Sequence, residues 1–128
     1  MHPGLWAAAL ALSPFAAHAH SAAHFSPAFT FTEQSGEQLF ANICQGCHMP
    51  DGKGAAGAGV YPSLAANKNL EAVGYPVYVV VRGKRAMPAF AAMMNDDQVA
   101  AVVNYLRTHF GNDYKDAVTS EDVKVVRP

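Results

Sequence analysis

Cysteine is scarce in this 128-residue chain: Cys44 and Cys47 are the only two. A disulfide between them would close a very short gap and add little stability. With no further cysteine, and only His109 far downstream, a C-x-x-C zinc site has no fitting fourth ligand. An excess of one charge is missing too. Nine basic residues against ten acidic ones leave a formal net charge of −1, with 15% of residues charged, which argues against a nucleic-acid partner. No G-x-x-x-x-G-K-[ST] arrangement is present, so the glycine-rich stretch 49–59 is a loop rather than a phosphate cradle. The apolar run 5–12 is too short to span a bilayer. At this length the chain forms one domain at most.

What the chain does have is Cys44-Gln45-Gly46-Cys47-His48, the C-x-x-C-H pattern of covalent c-type haem attachment. Each thiol can add to one haem vinyl group, because a helical turn brings cysteines three apart onto neighbouring positions. His48 follows directly and becomes the proximal iron ligand. A thioredoxin-like redox motif would need a βαβ context, and no alternating strand pattern surrounds these residues.

The run 5–12 followed by Ala17-His18-Ala19 reads as a secretory signal over residues 1–19, with an uncleaved anchor as the alternative because residues 1–4 contain no Lys or Arg. Residues 20–34 read as a lead-in with no helical or strand period. His18, His20 and His24 lie close together there, as a metal grip or as incidental linker residues. The domain proper is expected over 35–111. Ser35 stands three residues before Gln38, as in a capping box, and a helix should run to about Gln45 with Leu39, Ile43 and Cys47 on its inner face. Tyr61 and Leu64 are expected inward, with a short helix near 67–73. Pro76 suits the first turn of a helix through Arg82 that stops at Gly83, although four valines and a tyrosine would equally suit a strand. Asn95 and Gln98 form a capping box for a last helix whose buried stripe is Val99, Val102, Val103, Leu106 and Phe110. His109 reads as a helix-end residue rather than a ligand, and 112–128 as a polar extension with one helical turn at 120–124.

Met87, before Pro88 in a loop, is the candidate for the second axial ligand, because its thioether is far enough from His48 in sequence to reach the opposite haem face. Met93 and Met94 are its rivals. Phe40, Tyr61, Pro62, Leu64 and Phe90 are expected to pack on the haem. Arg82, Lys84, Arg85 and Lys53 are expected to form a basic rim that steers an acidic redox partner.

Over residues 35–110 the chain resembles class I cytochromes c. The attachment motif, Tyr61-Pro62-Ser63-Leu64, the segment Gly83-Lys84-Arg85-Ala86-Met87-Pro88-Ala89-Phe90 and a terminal helix occur in matching order. The resemblance implies an all-α fold around one covalent haem c, with Gly36 and Phe40 meeting Val102 and Tyr105 where the terminal helices cross. It also implies that the Pro62 carbonyl accepts the free ring N–H of His48. The end of the chain, 105–112 and 118–123, is similar to cytochrome domains serving bacterial alcohol and sugar dehydrogenases. These often carry three haems, whereas this chain has one C-x-x-C-H. The expected function is periplasmic one-electron transfer through a His/Met-ligated haem, as an electron-transfer protein rather than an enzyme. Its expected partners are a dehydrogenase, a terminal oxidase or another cytochrome, with any tie to a membrane complex made through those partners. The alternative is a haem-based sensor or enzyme whose methionine ligand is displaced.

Overall fold

The first helix starts where Ser35 Oγ accepts the Gln38 amide at 3.2 Å, satisfying one of the free N–H groups of the first turn. In the computed structural model, which describes residues 30–128, it proceeds as α1 (Gly36–Leu39), a π-helical turn (Phe40–Cys44) and α2 (Gln45–His48). The expected end near Gln45 is therefore short by one turn, and the attachment motif sits within the helix. The π turn also moves the inner face. With the Gln45 amide bonded to the Phe40 carbonyl, five residues back, the apolar stripe slips by one position. Leu39, Phe40 and His48 are buried, whereas Cys47 is exposed. The segment 1–19 and His18, His20 and His24 lie outside the described residues.

After His48 the chain reverses through Met49 (φ 63°). The expected loop contains a minimal antiparallel pair, β1 (Ala55–Ala56) with β2 (Val60–Tyr61). A 3₁₀ turn, Lys68–Leu70, capped by Asn67, stands where a short helix was expected. The valine-rich segment is helix α3 (Gly74–Arg82), ended by Gly83 at φ 72°. Val77, Val80 and Val81 recur on one face and are buried, which outweighs their strand propensity.

Helix α4 (Asp96–Thr108) opens with the expected reciprocal cap between Asn95 and Gln98. Its stripe of Val99, Val102, Val103 and Leu106 is buried, each valine worth roughly 1.5–3 kcal/mol against exposure. Helices α1 and α4 cross closely. A methyl group added at Gly36 would lie 2.2 Å from the Ala101 carbonyl oxygen and 2.6 Å from Tyr105 Cβ.

Residues 112–128, read as an extension, pack onto the rest of the fold. Helix α5 (Ser120–Val126) lies against α3 and α4, with Val118 and Val123 buried. Arg107, fully buried, donates to the carbonyls of Leu70 and Glu71 at 2.8 and 2.9 Å and to the Asp116 carboxylate at 2.6 Å. Arg127 likewise donates to the Met94 carbonyl at 2.6 Å and pairs with Asp96. These two arginines tie the tail to both ends of the core. Among the described residues no helix is long and apolar enough to cross a membrane.

Candidate functional site

His48 ends α2 and is 8% exposed, and its Nδ1 lies 2.9 Å from the Pro62 carbonyl oxygen. A carbonyl can only accept, so Nδ1 carries the proton and the Nε2 lone pair is free to bind a metal. The loop is shaped to deliver that carbonyl. The Gly54 amide donates to the His48 carbonyl at 3.0 Å, and the Gly52 carbonyl accepts from Leu64 at 2.7 Å and from Ala65 at 3.0 Å. Gly54 (φ 68°) leaves room for the approach: a Cβ there would fall 2.8 Å from the Pro62 carbonyl oxygen.

His48 and Cys44 line an apolar cleft together with Pro62 and Leu64 from the loop, Val79 and Val80 from α3, Leu106 from α4, and Met87. Met87 is presented by a tight turn in which Lys84 and Met87 exchange backbone hydrogen bonds of 3.1 and 3.0 Å. The rival methionines point elsewhere. Met94 is buried in the core, and Met93 lines a separate cavity of about 570 Å³ with Phe31 and Gln98.

The two thiols differ. Cys47 is exposed and Cys44 is turned into the cleft. Burial, and then the neighbouring Cys47 thiol, push the Cys44 thiol up to about 11. The donor set is two thiols three residues apart on a helix, one imidazole with a free Nε2, and one thioether lining the same apolar cleft. This chemistry fits a covalently held, axially ligated haem.

Several expected residues take other positions. Tyr61 is 41% exposed on β2 rather than inward, because the short β1–β2 pair carries Val60 and Tyr61 to the surface. Phe40 is buried against Phe110 and Tyr105, at ring separations of 4.7 and 5.8 Å, and serves the helix crossing rather than the cleft. Phe90 packs on Phe31, 6.2 Å away. Of the five expected packing residues, Pro62 and Leu64 line the cleft. The wall that was not anticipated is α3, where Tyr75 and Val79, and Pro76 and Val80, form two adjacent i, i+4 rows facing the cleft. Those rows are visible in the sequence once the stretch is taken as helix.

The expected basic rim is only partly free. Arg82 donates to the Val126 carbonyl at 2.9 Å, and Lys53 pairs with Asp51 at 3.5 Å. Lys84 donates to the Tyr75 hydroxyl at 2.9 Å at the cleft wall, and Arg85 is exposed. His109 is exposed and stacks on Tyr105 at 4.0 Å, away from the cleft lining.

Residues 32–106 match the family described as cytochrome C oxidase, cbb3-type, subunit III. The chain is 31% identical over 109 residues to the gluconate 2-dehydrogenase cytochrome c subunit of Pantoea cypripedii, a match covering 73% of this chain and 24% of that protein. It is 33% identical over 107 residues to the fructose dehydrogenase cytochrome subunit of Gluconobacter japonicus, covering 72% and 22%. It is also 35% identical over 80 residues to cytochrome c6 of Diacronema lutheri, covering 60% of this chain and 95% of that protein. The chain thus spans less than a quarter of the two dehydrogenase subunits and nearly the whole of the small cytochrome.

Proposed function

Because this chain belongs to the c-type cytochrome family, whose haem is bound covalently, we propose that it is a periplasmic one-electron carrier with His48 and Met87 as the two axial ligands. The observation that carries this reading is that His48, with Nε2 left free by the Pro62 hydrogen bond, and Met87 line one apolar cleft beside Cys44. When bound, the haem supplies reversible one-electron chemistry at its iron.

The residues of the chain do the rest. Cys44 and Cys47 hold the group covalently. The Pro62 carbonyl fixes the His48 tautomer and makes the imidazole a stronger donor. Met87 occupies the sixth position, which leaves no place for a gas or peroxide and favours a higher potential than two histidines would. Leu64, Val79, Val80 and Leu106 keep the lining apolar, which disfavours the extra charge of the oxidised state and works in the same direction.

Kinship to the cytochrome subunits of gluconate and fructose dehydrogenases supports a dehydrogenase as electron donor. Near-complete coverage of a small cytochrome supports a domain that works with a single haem. Export fits the leader-like segment 1–19, since the family resemblance implies that c-type haem is attached outside the plasma membrane. The test is to purify the exported protein, extract with acidified acetone and titrate the potential. Haem that stays on the polypeptide, a one-electron transition, and a reduced form indifferent to carbon monoxide are expected. Extractable haem, or a prompt Soret shift with carbon monoxide at neutral pH, would instead favour the sensor or enzyme.

A further inference from the structure

Asn112 lies just beyond α4, 6% exposed, and every polar atom of its side chain is used. Its Oδ1 accepts the Asn67 amide at 2.8 Å. Its Nδ2 shares two N–H groups among three carbonyls, Leu64 at 2.8 Å, Leu106 at 2.8 Å and His109 at 2.9 Å, so one of them is bifurcated. One buried amide therefore joins the end of α4 to the segment 64–67. That segment begins two residues after Pro62, whose carbonyl holds the His48 ring. The opposite side of the segment is held by the Gly52 carbonyl, which accepts from Leu64 and Ala65. The Ala66 amide adds a bond to the Phe110 carbonyl at 3.0 Å, beside the Asn112 cluster.

We propose that Asn112 is a positioning residue for His48: it clamps residues 64–67 to α4 and so sets the Pro62 carbonyl at hydrogen-bond distance from Nδ1. Gly52 and Asn112 grip the segment from its two sides. With Asn112 gone, the segment keeps the Gly52 and Ala66 bonds and a longer bond from the Tyr114 hydroxyl to the Asn67 carbonyl at 3.4 Å, while the carbonyls of Leu64 and Leu106 and the amide of Asn67 lose their Asn112 partner. The segment then relaxes toward other donors and the Pro62 carbonyl drifts from the ring. A weaker bond to Nδ1 makes the imidazole a poorer donor, which favours the reduced iron. The inference rests on the reading of His48 as an iron ligand.

Asn104 supplies the control. It makes a matching pair of bonds from α4, donating to the Val118 carbonyl at 2.9 Å and accepting the Val118 amide at 2.8 Å, but its partner lies on the tail and not on the haem-side loop. Holoprotein carrying Asn112→Ala or Asn104→Ala is compared with wild type by thermal unfolding, by redox titration and by NMR of the His48 ring protons in the reduced state. Both variants should unfold earlier. Only Asn112→Ala should raise the potential and speed exchange of the Nδ1 proton, by roughly tenfold for the loss of one buried hydrogen bond. Should Asn112→Ala not fold, Asn112→Ser keeps a small neutral side chain too short to bridge these partners, and the same two shifts are expected of it.

Equal shifts in the Asn112 and Asn104 variants, or no shift in either, overturn the proposal. If the wild-type His48 signals show no iron ligation, the functional reading fails on that spectrum alone. The positioning claim is then decided by the Nδ1 proton in the same experiment.

Discussion

Substituting Gly36 by alanine tests how the fold holds its two long helical segments together. The new methyl group would fall 2.2 Å from the Ala101 carbonyl oxygen and 2.6 Å from Tyr105 Cβ. Neither neighbour can rotate away, one being helix backbone and the other the first atom of a side chain. The helices must part by about 1 Å, a gap that forfeits a quarter to a half of each interfacial dispersion contact. The Phe40–Tyr105 pair, 5.8 Å between ring centroids, is the first to feel it. Overpacking of this kind costs about 1–3 kcal/mol, and the higher helix propensity of alanine returns about 0.5–1 kcal/mol. The net is a loss of about 0–2.5 kcal/mol, centred near 1 kcal/mol, or a Tm lower by roughly 4–8 °C at that centre for a domain of this size. The assay is thermal unfolding of the holoprotein followed by far-UV circular dichroism. Gly46→Ala is the counter-case: it is also helical, but a Cβ there meets nothing within 4 Å, so the propensity gain should stand alone and Tm should rise slightly. If the two alanine variants shift Tm alike, the close-approach argument is wrong.

Other perturbations probe the tail and the cleft. Arg107→Met leaves the carbonyls of Leu70 and Glu71 without their donor and should cost about 2–4 kcal/mol, read from the midpoint of urea unfolding; a change below about 1 kcal/mol would assign the arginine a packing role only. The hydrogen bond from Arg107 holds the Asp116 carboxyl below its ordinary value of 3.8, so its contribution is complete above that pH and is lost as pH falls through the lower, folded-state value. Asp116→Asn should accordingly lower stability at neutral pH and flatten the acid limb of a stability–pH curve, and an unchanged acid limb would remove Asp116 from the account. Met87→Ala should open the sixth position, so that the reduced variant binds carbon monoxide where wild type does not; a variant still closed to carbon monoxide would point to another ligand.

Much of this was legible in the sequence, for definite reasons. Caps declare themselves through short-range chemistry: Ser35 and the Asn95–Gln98 pair act within one helical turn. The α4 stripe was legible because one face of a regular helix repeats in the chain. The π turn was not, since nothing in Phe40 to Cys44 marks an inserted residue, and it moved Cys47 off the inner face that a regular helix would give it. Tyr61 was misplaced because an aromatic residue beside a proline carries no sign of a two-residue strand pair facing outward. The tail reads as an extension because its anchors, Arg107 with Asp116 and Arg127 with Asp96, join polar residues 9 and 31 positions apart. Such pairing leaves no periodic trace. At the site, the attachment motif and Met87 were visible as residue types. The α3 wall depended on first deciding between helix and strand.

The proposed ligation of iron by both His48 and Met87 is tested most directly by the absorption spectrum of the oxidised protein beside that of Met87→His. The account predicts the long-wavelength sulfur-to-iron charge-transfer band in wild type, its loss in the variant, and a lower potential in the variant. A wild-type spectrum without that band, or a band that survives the substitution, would contradict it.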